Sequence, residues 1–541
     1  MVISPFHTLV GSFLGTRLKG DFRIGSIITE NQIITDGMED ADYTTIRDLI
    51  INGHQDPDQH AIESPGYLPL TYRGLREQIV SLVKSLNARG FHRNDRIAII
   101  TPAGPETAVC IVAVMAGFTA VVLNPQQKYR EFEEIFSRAR IKAIILLQGH
   151  PTAARAVAAS CSLPVMELAP VSGVAGKFDL IPEIHFHDVV PEFAAPSDTA
   201  YVLLTSGTTA AAKVIPRTQE QSATGKKRTC EYQGITPADR CLHITPYFHG
   251  MGVGAPLISP LIAGATVICP RDFITSDFFD LLTTFHPTYY TAGPALNQGI
   301  CRELKKVPPD LLKHHSLRYI RSSAGVFPED LRKELETLLG IPVIDSYGLS
   351  EAGLVAINIP QKPGSVGIPC IKTLAILGEN GELLPAGSAG EIVITNDLFF
   401  SRYENAPAEN TAAFTDGWFR TGDLGYLDNE GYLFLTGRRK ELINKGGQKI
   451  SPDEIDTVLR SHPGVRDAMA FPVPDAVLGE DIAAMVVPDD ETLTETELRL
   501  YLLDRLVQFK VPKRIYLVDA IPKNPAGKPL RHAGSERYGQ R

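Results

Sequence analysis

The chain has 541 residues, 44% of them hydrophobic, and a formal charge of −9 at pH 7, with a pI near 5.9. That length and apolar content allow two or more domains with large cores. The acidic balance excludes the basic face a nucleic acid would need, yet leaves room for a local cationic pocket. The seven cysteines (Cys110, Cys161, Cys230, Cys241, Cys269, Cys301 and Cys370) are scattered and never form a C-x-x-C pair. Their number and spacing predict reduced intracellular thiols rather than disulfides or a metal site.

Residues 1 to about 40 carry few signals and read as a partly ordered extension; no basic segment leads into an unbroken apolar run, so no signal peptide is expected. From Thr71 a helical period runs through Leu75, Ile79, Leu82, Val83 and Leu86 and closes at Gly90. Arg96–Ile100 follows as a continuous apolar strand of the parallel-sheet kind. The longest apolar run, Ala108 to Leu123, is broken by Gly117 and Thr119 and is too short to span a membrane, so it reads as a buried helix and a buried strand. Tyr129–Ala139 and Ile141–Leu147 continue the alternation, and strands near Thr266–Cys269, Leu317–Ser322 and Pro342–Asp345 resume it. This rhythm predicts an α/β fold: a large N-terminal domain of mostly parallel sheets flanked by helices.

From about Ser365 short strands and glycine-rich turns take over (Leu374–Leu377, Gly390–Ile394, Tyr432–Thr436), which predicts a small β-rich subdomain. The last hundred residues read as a small, mobile α+β domain. Its elements are a helix at Pro452–Arg460, strands at Ala468–Val473 and Ile482–Val487, and a helix opened by the capping box Thr494-x-x-Glu497. The expected boundaries are 1–437 for the N-terminal domain (core 45–364, subdomain 365–437), 438–440 for a hinge and 441–541 for the C-terminal domain. The terminal Gly-Gln-Arg is not a peroxisomal address, and the default expectation is a cytoplasmic protein.

Five stretches carry chemistry. A strand at Tyr201–Leu204 runs into Thr205, Ser206, Gly207, Thr208 and Thr209 and on to Lys213. Hydroxyls, backbone N–H groups and one ammonium can wrap a polyphosphate. This is not a Walker loop, because Ala212 stands where glycine should precede the lysine. On loop chemistry alone, a solvated turn is an equal reading. Asp345–Glu351 sets an aromatic, a glycine and a carboxylate together; an aromatic covers a purine face, and a carboxylate beside a triphosphate holds Mg²⁺. Trp418–Asp423 offers an acid after a tight turn, suited to vicinal ribose hydroxyls. Gly437–Pro452 is dense in cations and glycine at the expected domain junction, and Pro522–Lys528 puts a lysine on a turn. Singly, each is also compatible with a turn or a solvated face.

Together and in this order they resemble the adenylate-forming superfamily of acyl- and aryl-CoA synthetases, amino-acid adenylation domains and firefly-type luciferases. The resemblance runs from about residue 45 to 532. Arg439–Asp456 looks most like the oxalyl-CoA synthetase-like branch, with Pro287–Pro294 and Leu317–Ser323 pointing the same way. It implies that Thr205, Ser206, Gly207, Thr208, Thr209 and Lys213 hold the β- and γ-phosphates. Tyr347 and Gly348 would cover adenine, with Ser323, Ala324 and Gly325 lining the base. Ser350 would meet the α-phosphate, and Glu351 would bind Mg²⁺. Asp423 and Arg438 would hold the ribose, and His249 would border the acyl pocket and the coenzyme A entrance. Lys440 would mark the hinge, Gly446 and Gly447 would line the pantetheine tunnel, and Lys528 would stand over the reacting carboxylate. By the same layout His249, Met251, Tyr290, Ser322, Ser346 and Gly353 would line an acyl pocket for a short or aromatic acid; were the acid oxalate, Arg321 would be a candidate cation for its distal carboxylate.

Two departures stand out. Ala210, Ala212 and Val214 replace glycine, proline and glycine of the family's loop, which restricts its backbone. Ser350 replaces a commoner threonine and keeps the hydroxyl. The expected function is an ATP-dependent carboxylic acid–CoA ligase that forms an acyl-adenylate, releasing pyrophosphate and then AMP. ATP, Mg²⁺ and coenzyme A would be its cofactors, a small carboxylic acid its substrate, and coenzyme A or a carrier-protein pantetheine its acceptor. No nucleic-acid partner and no membrane span are expected, and the oligomeric state stays open. Two alternatives stand beside this: an acyl-AMP ligase loading a carrier protein, and a catalytically weak nucleotide-binding relative. The altered loop favours the second; the joint presence of Glu351, Asp423, Arg438 and Lys528 opposes it.

Overall fold

The continuous apolar runs become the buried strands of two largely parallel sheets in the computed structural model. The structure describes residues 44–539 apart from 52, 54–55, 172, 185–187, 205–212, 324, 326, 372, 396–401, 490–491 and 525–526. The expected N-terminal extension therefore lies outside the described residues. The described residues form one compact unit.

In the first sheet Arg96–Ile100 is central, paired in parallel with Thr119–Val122 and Ala143–Leu147. Thr199–Leu204 joins Thr119–Val122 in parallel, and its antiparallel partner Val214–Thr218 closes that edge. The phosphate-loop candidate thus connects two strands of a hairpin. The second sheet runs in parallel through His60–Glu63, Thr266–Ile268, Arg240–Leu242, Tyr289–Ala292, Tyr319–Ser322 and Val343–Leu349. Antiparallel strands finish both of its ends, Leu70–Thr71 at one and Gly353–Ile357 followed by Ile368–Pro369 at the other.

The helix Pro105–Gly117 is apolar all round and buried along its whole length, as such a helix must be. Among the described residues no helix is long and apolar enough to cross a membrane. The helix Gln219–Gln233 starts from a reciprocal cap between Thr218 and Gln221 and stops at Gly234, whose φ of 60° suits glycine. It packs on Thr199–Leu204 and Val214–Thr218 of the first sheet and on Gly353–Ile357 of the second.

A third, antiparallel sheet joins Thr373–Leu377, Gly390–Thr395, Phe414–Thr415, Trp418–Leu427 and Leu433–Arg438. Asp423 does not follow a tight turn as expected. It lies inside the ten-residue strand Trp418–Leu427, between Gly422 at φ 76° and a register shift at Leu424/Gly425. A bulge of this kind re-aims a side chain without ending the strand.

The fourth sheet, built from Ile443–Lys445, Gln448–Ile450, Val465–Asp475, Gly479–Pro488 and Arg514–Leu517, has apolar cores drawn from residues 443–538. The helix Pro452–Arg460 has the expected bounds. At Glu495–Arg505 the Thr494 hydroxyl accepts from the Glu497 N–H at 3.2 Å, while the Glu497 carboxylate lies 3.6 Å from His462 Nε2.

Candidate active site

The strand expected to end at Asp345 continues to Leu349, so it delivers Ser346 and Tyr347 in buried positions. The Tyr347 hydroxyl donates to Asp423 Oδ2 at 2.6 Å. Burial and the Asp423 carboxylate push this phenol well above its ordinary range. Asp423 Oδ1 in turn lies 3.0 Å from Arg438 Nε, and the two residues face each other across paired strands. Partial burial works against the charge of Arg438, but Asp423 and Glu441 outweigh it and raise its affinity for the proton. Tyr347, Asp423 and Arg438 therefore form one group, joined by a hydrogen bond and an ion pair.

Lys528, on a turn beyond the C-terminal sheet, lies within electrostatic reach of Arg438 and Asp423. Its turn is fastened by two bonds with Asn524: the Lys528 N–H donates to Asn524 Oδ1 at 3.0 Å, and the Asn524 N–H donates to the Lys528 carbonyl at 2.9 Å. Burial, then the like charge of Arg438, hold the ammonium below the ordinary lysine range, against Asp423, Glu441 and Asp453.

A second cluster gathers around Glu351. Tyr403 donates its hydroxyl to Glu351 Oε1 at 2.7 Å, and Lys213 Nζ stands 4.1 Å from the centre of the Tyr403 ring. Arg217 NH1 donates to the Glu351 carbonyl at 2.6 Å, fixing the backbone. Burial, then Lys440, pull Lys213 below the ordinary lysine range, with Glu351 opposing. Lys440, on the single turn Arg439–Glu441, is thus within electrostatic reach of Lys213. Thr205, Ser206, Gly207, Thr208 and Thr209 lie outside the described residues, as does Ala324.

His249 precedes the short helix Gly250–Val253, its ring edge-on to Phe248 at 4.5 Å. A Cβ added at Gly250 would sit 3.0 Å from Leu203 Cδ1 and 3.7 Å from Ser350 Oγ, so the residue after His249 borders both motifs. The segment is held by His243, a buried ring that stacks on Tyr247 at 4.1 Å and donates from Nε2 to the Gly252 carbonyl at 2.9 Å. Burial holds His243 down to about 4, so it is neutral. Gly252 is obligatory, since a Cβ there would lie 2.1 Å from the Pro246 carbonyl oxygen.

The remaining positions divide. Ser323 is buried and donates to the Ser346 carbonyl at 3.4 Å, Gly325 faces Pro294, and Gly348 packs against the Gly353 carbonyl. Tyr290 is no pocket wall: it is fully buried in the core, edge-on to Phe278, with its hydroxyl bonded to Asn297 Oδ1 at 2.8 Å. Gly446 and Gly447 are exposed at a hairpin tip with φ of 58° and 88°, a turn that by itself demands glycine. Sequence reasoning missed Tyr403, Arg217 and His243. Tyr403 and Arg217 act through Glu351, 52 and 134 positions away, and His243 through the Gly252 carbonyl, so no motif marks them.

Among the described residues no group of three or more His, Cys, Asp or Glu side chains is placed to hold a metal. The donor set at Glu351 is one carboxylate. That suits Mg²⁺, which keeps waters and substrate phosphates as its other ligands.

The profile described as AMP-binding enzyme matches residues 51–404, and that of the AMP-binding enzyme C-terminal domain matches residues 454–528. An oxalate–CoA ligase of Arabidopsis thaliana is 35% identical over 92% of this chain and 99% of that protein. A sulfoacetate–CoA ligase of Cupriavidus necator is 31% identical over 90% of this chain and 97% of its own length. The structure of ATP-bound MatB from Rhodopseudomonas palustris superposes with a TM-score of 0.81 at 26% identity, over 92% of this chain and 99% of that one. The chain belongs to the AMP-binding enzyme family.

Proposed function

We propose that the chain is an ATP-dependent ligase that joins a small carboxylic acid to coenzyme A through an acyl-adenylate. The observation that carries this is the convergence of Lys528 on the Tyr347–Asp423–Arg438 group, with Lys213 and Glu351 gathered at Tyr403. These are grips for ribose and polyphosphate, with a separate ammonium left for the reacting carboxylate.

A carboxylate is a poor acyl donor, because its leaving group would be oxide. In the first step its oxygen attacks the α-phosphorus of ATP, and the bond to the β-phosphate breaks. Both partners are anions, so the enzyme's contribution is positioning and charge cancellation. Lys528 bridges the carboxylate and the α-phosphate; Lys213 offsets the leaving pyrophosphate. Glu351, oriented by Tyr403, would hold Mg²⁺, which would supply further charge neutralisation there. No general base is required, since the acid is already ionised at neutral pH. In the second step the coenzyme A sulfur attacks the acyl carbon, AMP leaves and the thiol proton goes to solvent.

That step needs the place Lys528 occupies. The segment 438–440 serves as the hinge and 441–541 as the domain that swings about it. The C-terminal sheet meets the rest through surface contacts such as Gln298 Nε2 to the Arg466 carbonyl at 3.1 Å and the ion pair of Lys449 with Glu379. Polar contacts of this kind release readily. The relatives are named for acids as unlike as oxalate, sulfoacetate and long-chain fatty acids, so names alone leave the acid open.

The test is a panel of carboxylic acids read as AMP formation, with the acyl-CoA confirmed by mass. A strong signal that requires coenzyme A is expected. Pyrophosphate release with no CoA ester would transfer the reading to a carrier-protein acceptor, and silence with ATP still bound would overturn it.

A further inference from the structure

The segment 402–406 precedes the helix Pro407–Ala413, which packs on the third sheet, and itself fastens to the first. Both backbone polar groups of Tyr403 are taken by one side-chain amide of that helix. The Tyr403 N–H donates to Asn410 Oδ1 at 2.8 Å, and Asn410 Nδ2 donates to the Tyr403 carbonyl at 2.8 Å. The next residue stitches the segment to the first sheet: the Glu404 N–H donates to the Val214 carbonyl at 3.0 Å, and the Glu404 carboxylate pairs with Arg96. Asn405, at φ 51°, then turns the chain into the helix, a conformation asparagine tolerates. The Tyr403 ring is buried between these anchors.

That one ring carries two opposite charges, Glu351 on its hydroxyl and the Lys213 ammonium over its face. A phenol binds a carboxylate through its O–H and a cation through its π-face while staying neutral itself. Burial, then the Glu351 carboxylate, push this phenol above its ordinary range, so its hydroxyl remains a donor. Lys213 is held at its other end too. Val214, which follows it, is buried in the core of the first sheet and gives its carbonyl to Glu404. The valine that replaces a glycine of the family's loop therefore supplies a fixed stem for the lysine. Residues 403 and 404 thus set the Lys213 ammonium, the Lys213 stem and the Glu351 carboxylate from one short segment.

We infer that Tyr403 is a positioning residue for adenylation: it spaces Glu351 and Lys213 so that the metal-binding carboxylate and the ammonium hold the leaving pyrophosphate as one unit. The inference rests on the ligase reading above. Tyr403→Phe keeps the ring under Lys213 and removes only the bond to Glu351; Tyr403→Leu removes both. Two readouts are needed. One is acid-dependent exchange of labelled pyrophosphate into ATP, over a series of Mg²⁺ and ATP concentrations. The other is thermal melting with ATP at rising Mg²⁺ and no acid, which needs no turnover.

Loss of a hydrogen bond to a charged group should raise the Mg²⁺ needed for half-maximal exchange about tenfold in Tyr403→Phe. Its KM for ATP at saturating Mg²⁺ should stay close to the wild-type value. Tyr403→Leu should also raise that KM, by about tenfold, because the platform for Lys213 is gone. In melting, the Mg²⁺ midpoint of the ATP-induced rise in Tm should move in Tyr403→Phe by the same factor as in exchange. Placed on Glu351→Gln, Tyr403→Phe should add nothing to the Mg²⁺ requirement, since both changes remove one bond. An unchanged Mg²⁺ midpoint in Tyr403→Phe, or a loss confined to kcat in both variants, would overturn the inference and leave the ligase reading intact. Absence of exchange in the wild type with every acid would overturn the ligase reading, while the melting series still decides the role of Tyr403. Should Tyr403→Leu fail to fold, Tyr403→Phe decides alone.

Discussion

Lys528 is held below the ordinary lysine range by burial and by Arg438, which has a consequence for pH. Above its folded value the amine loses the charge that bridges the two anions. The adenylation rate should therefore fall on the alkaline side before pH reaches about 10.4, the usual lysine value. Lys528→Arg should push that limb upward, and a limb that stays put would assign it elsewhere. Lys528→Ala should abolish adenylation while sparing thioester formation from a supplied acyl-adenylate; equal loss of both would refute the assignment. At this scale, contiguous motifs marked Lys213, Glu351, Asp423 and Lys528 as candidates, and the structure sets Lys213 and Glu351 about Tyr403 and Lys528 within electrostatic reach of Asp423. Tyr403 was not, because its bond to Glu351 spans 52 positions and follows no local period. Lys226 reads in the sequence as one more cation in Lys226-Lys227-Arg228 on a helix. In the fold Lys227 is exposed, while Lys226 and Arg228 are half-buried.

At the scale of elements, Arg531 fastens the last helix to the C-terminal sheet. It reaches Glu441 Oε2 at 2.9 Å, Asp456 Oδ2 at 2.8 Å, the Ala470 carbonyl at 2.7 Å, and Asp453. Asp456 is pushed up to about 6 by burial, with Arg531 opposing. A carboxyl raised above its unfolded value favours the fold at low pH and loses that contribution as pH rises through about 6. Arg531→Met removes the opposing cation and should destabilise the C-terminal unit by about 3 kcal/mol at neutral pH, the loss growing between about pH 5 and 8. Chemical denaturation at several pH values checks this; a cost below about 1 kcal/mol, or one constant with pH, would contradict it. Periodic elements matched the pattern closely: Arg96–Ile100 and Pro452–Arg460 fall where expected. The strand through Asp423 was misplaced, because Thr421-Gly422-Asp423 carries turn residues while its neighbours pair on both sides. Pairing with adjacent strands overrode local propensity.

On the scale of the whole molecule, the alternation of helices and strands announced parallel sheets but not how they interleave. His60–Glu63 belongs beside Thr266–Ile268, about two hundred positions on, and no period links two such segments. The same interleaving places the helix Gln219–Gln233 between the two sheets and so creates a cleft lined by Lys226. The C-terminal sheet was legible in the sequence because its elements are consecutive and carry apolar cores of their own. The central claim is that this closed arrangement makes an acyl-adenylate before coenzyme A takes part. The direct measurement is exchange of labelled pyrophosphate into ATP, with the acid present and coenzyme A omitted. Rapid exchange that depends on the acid is predicted. Acyl-CoA synthesis with no such exchange, or with exchange that appears only when coenzyme A is added, would contradict it.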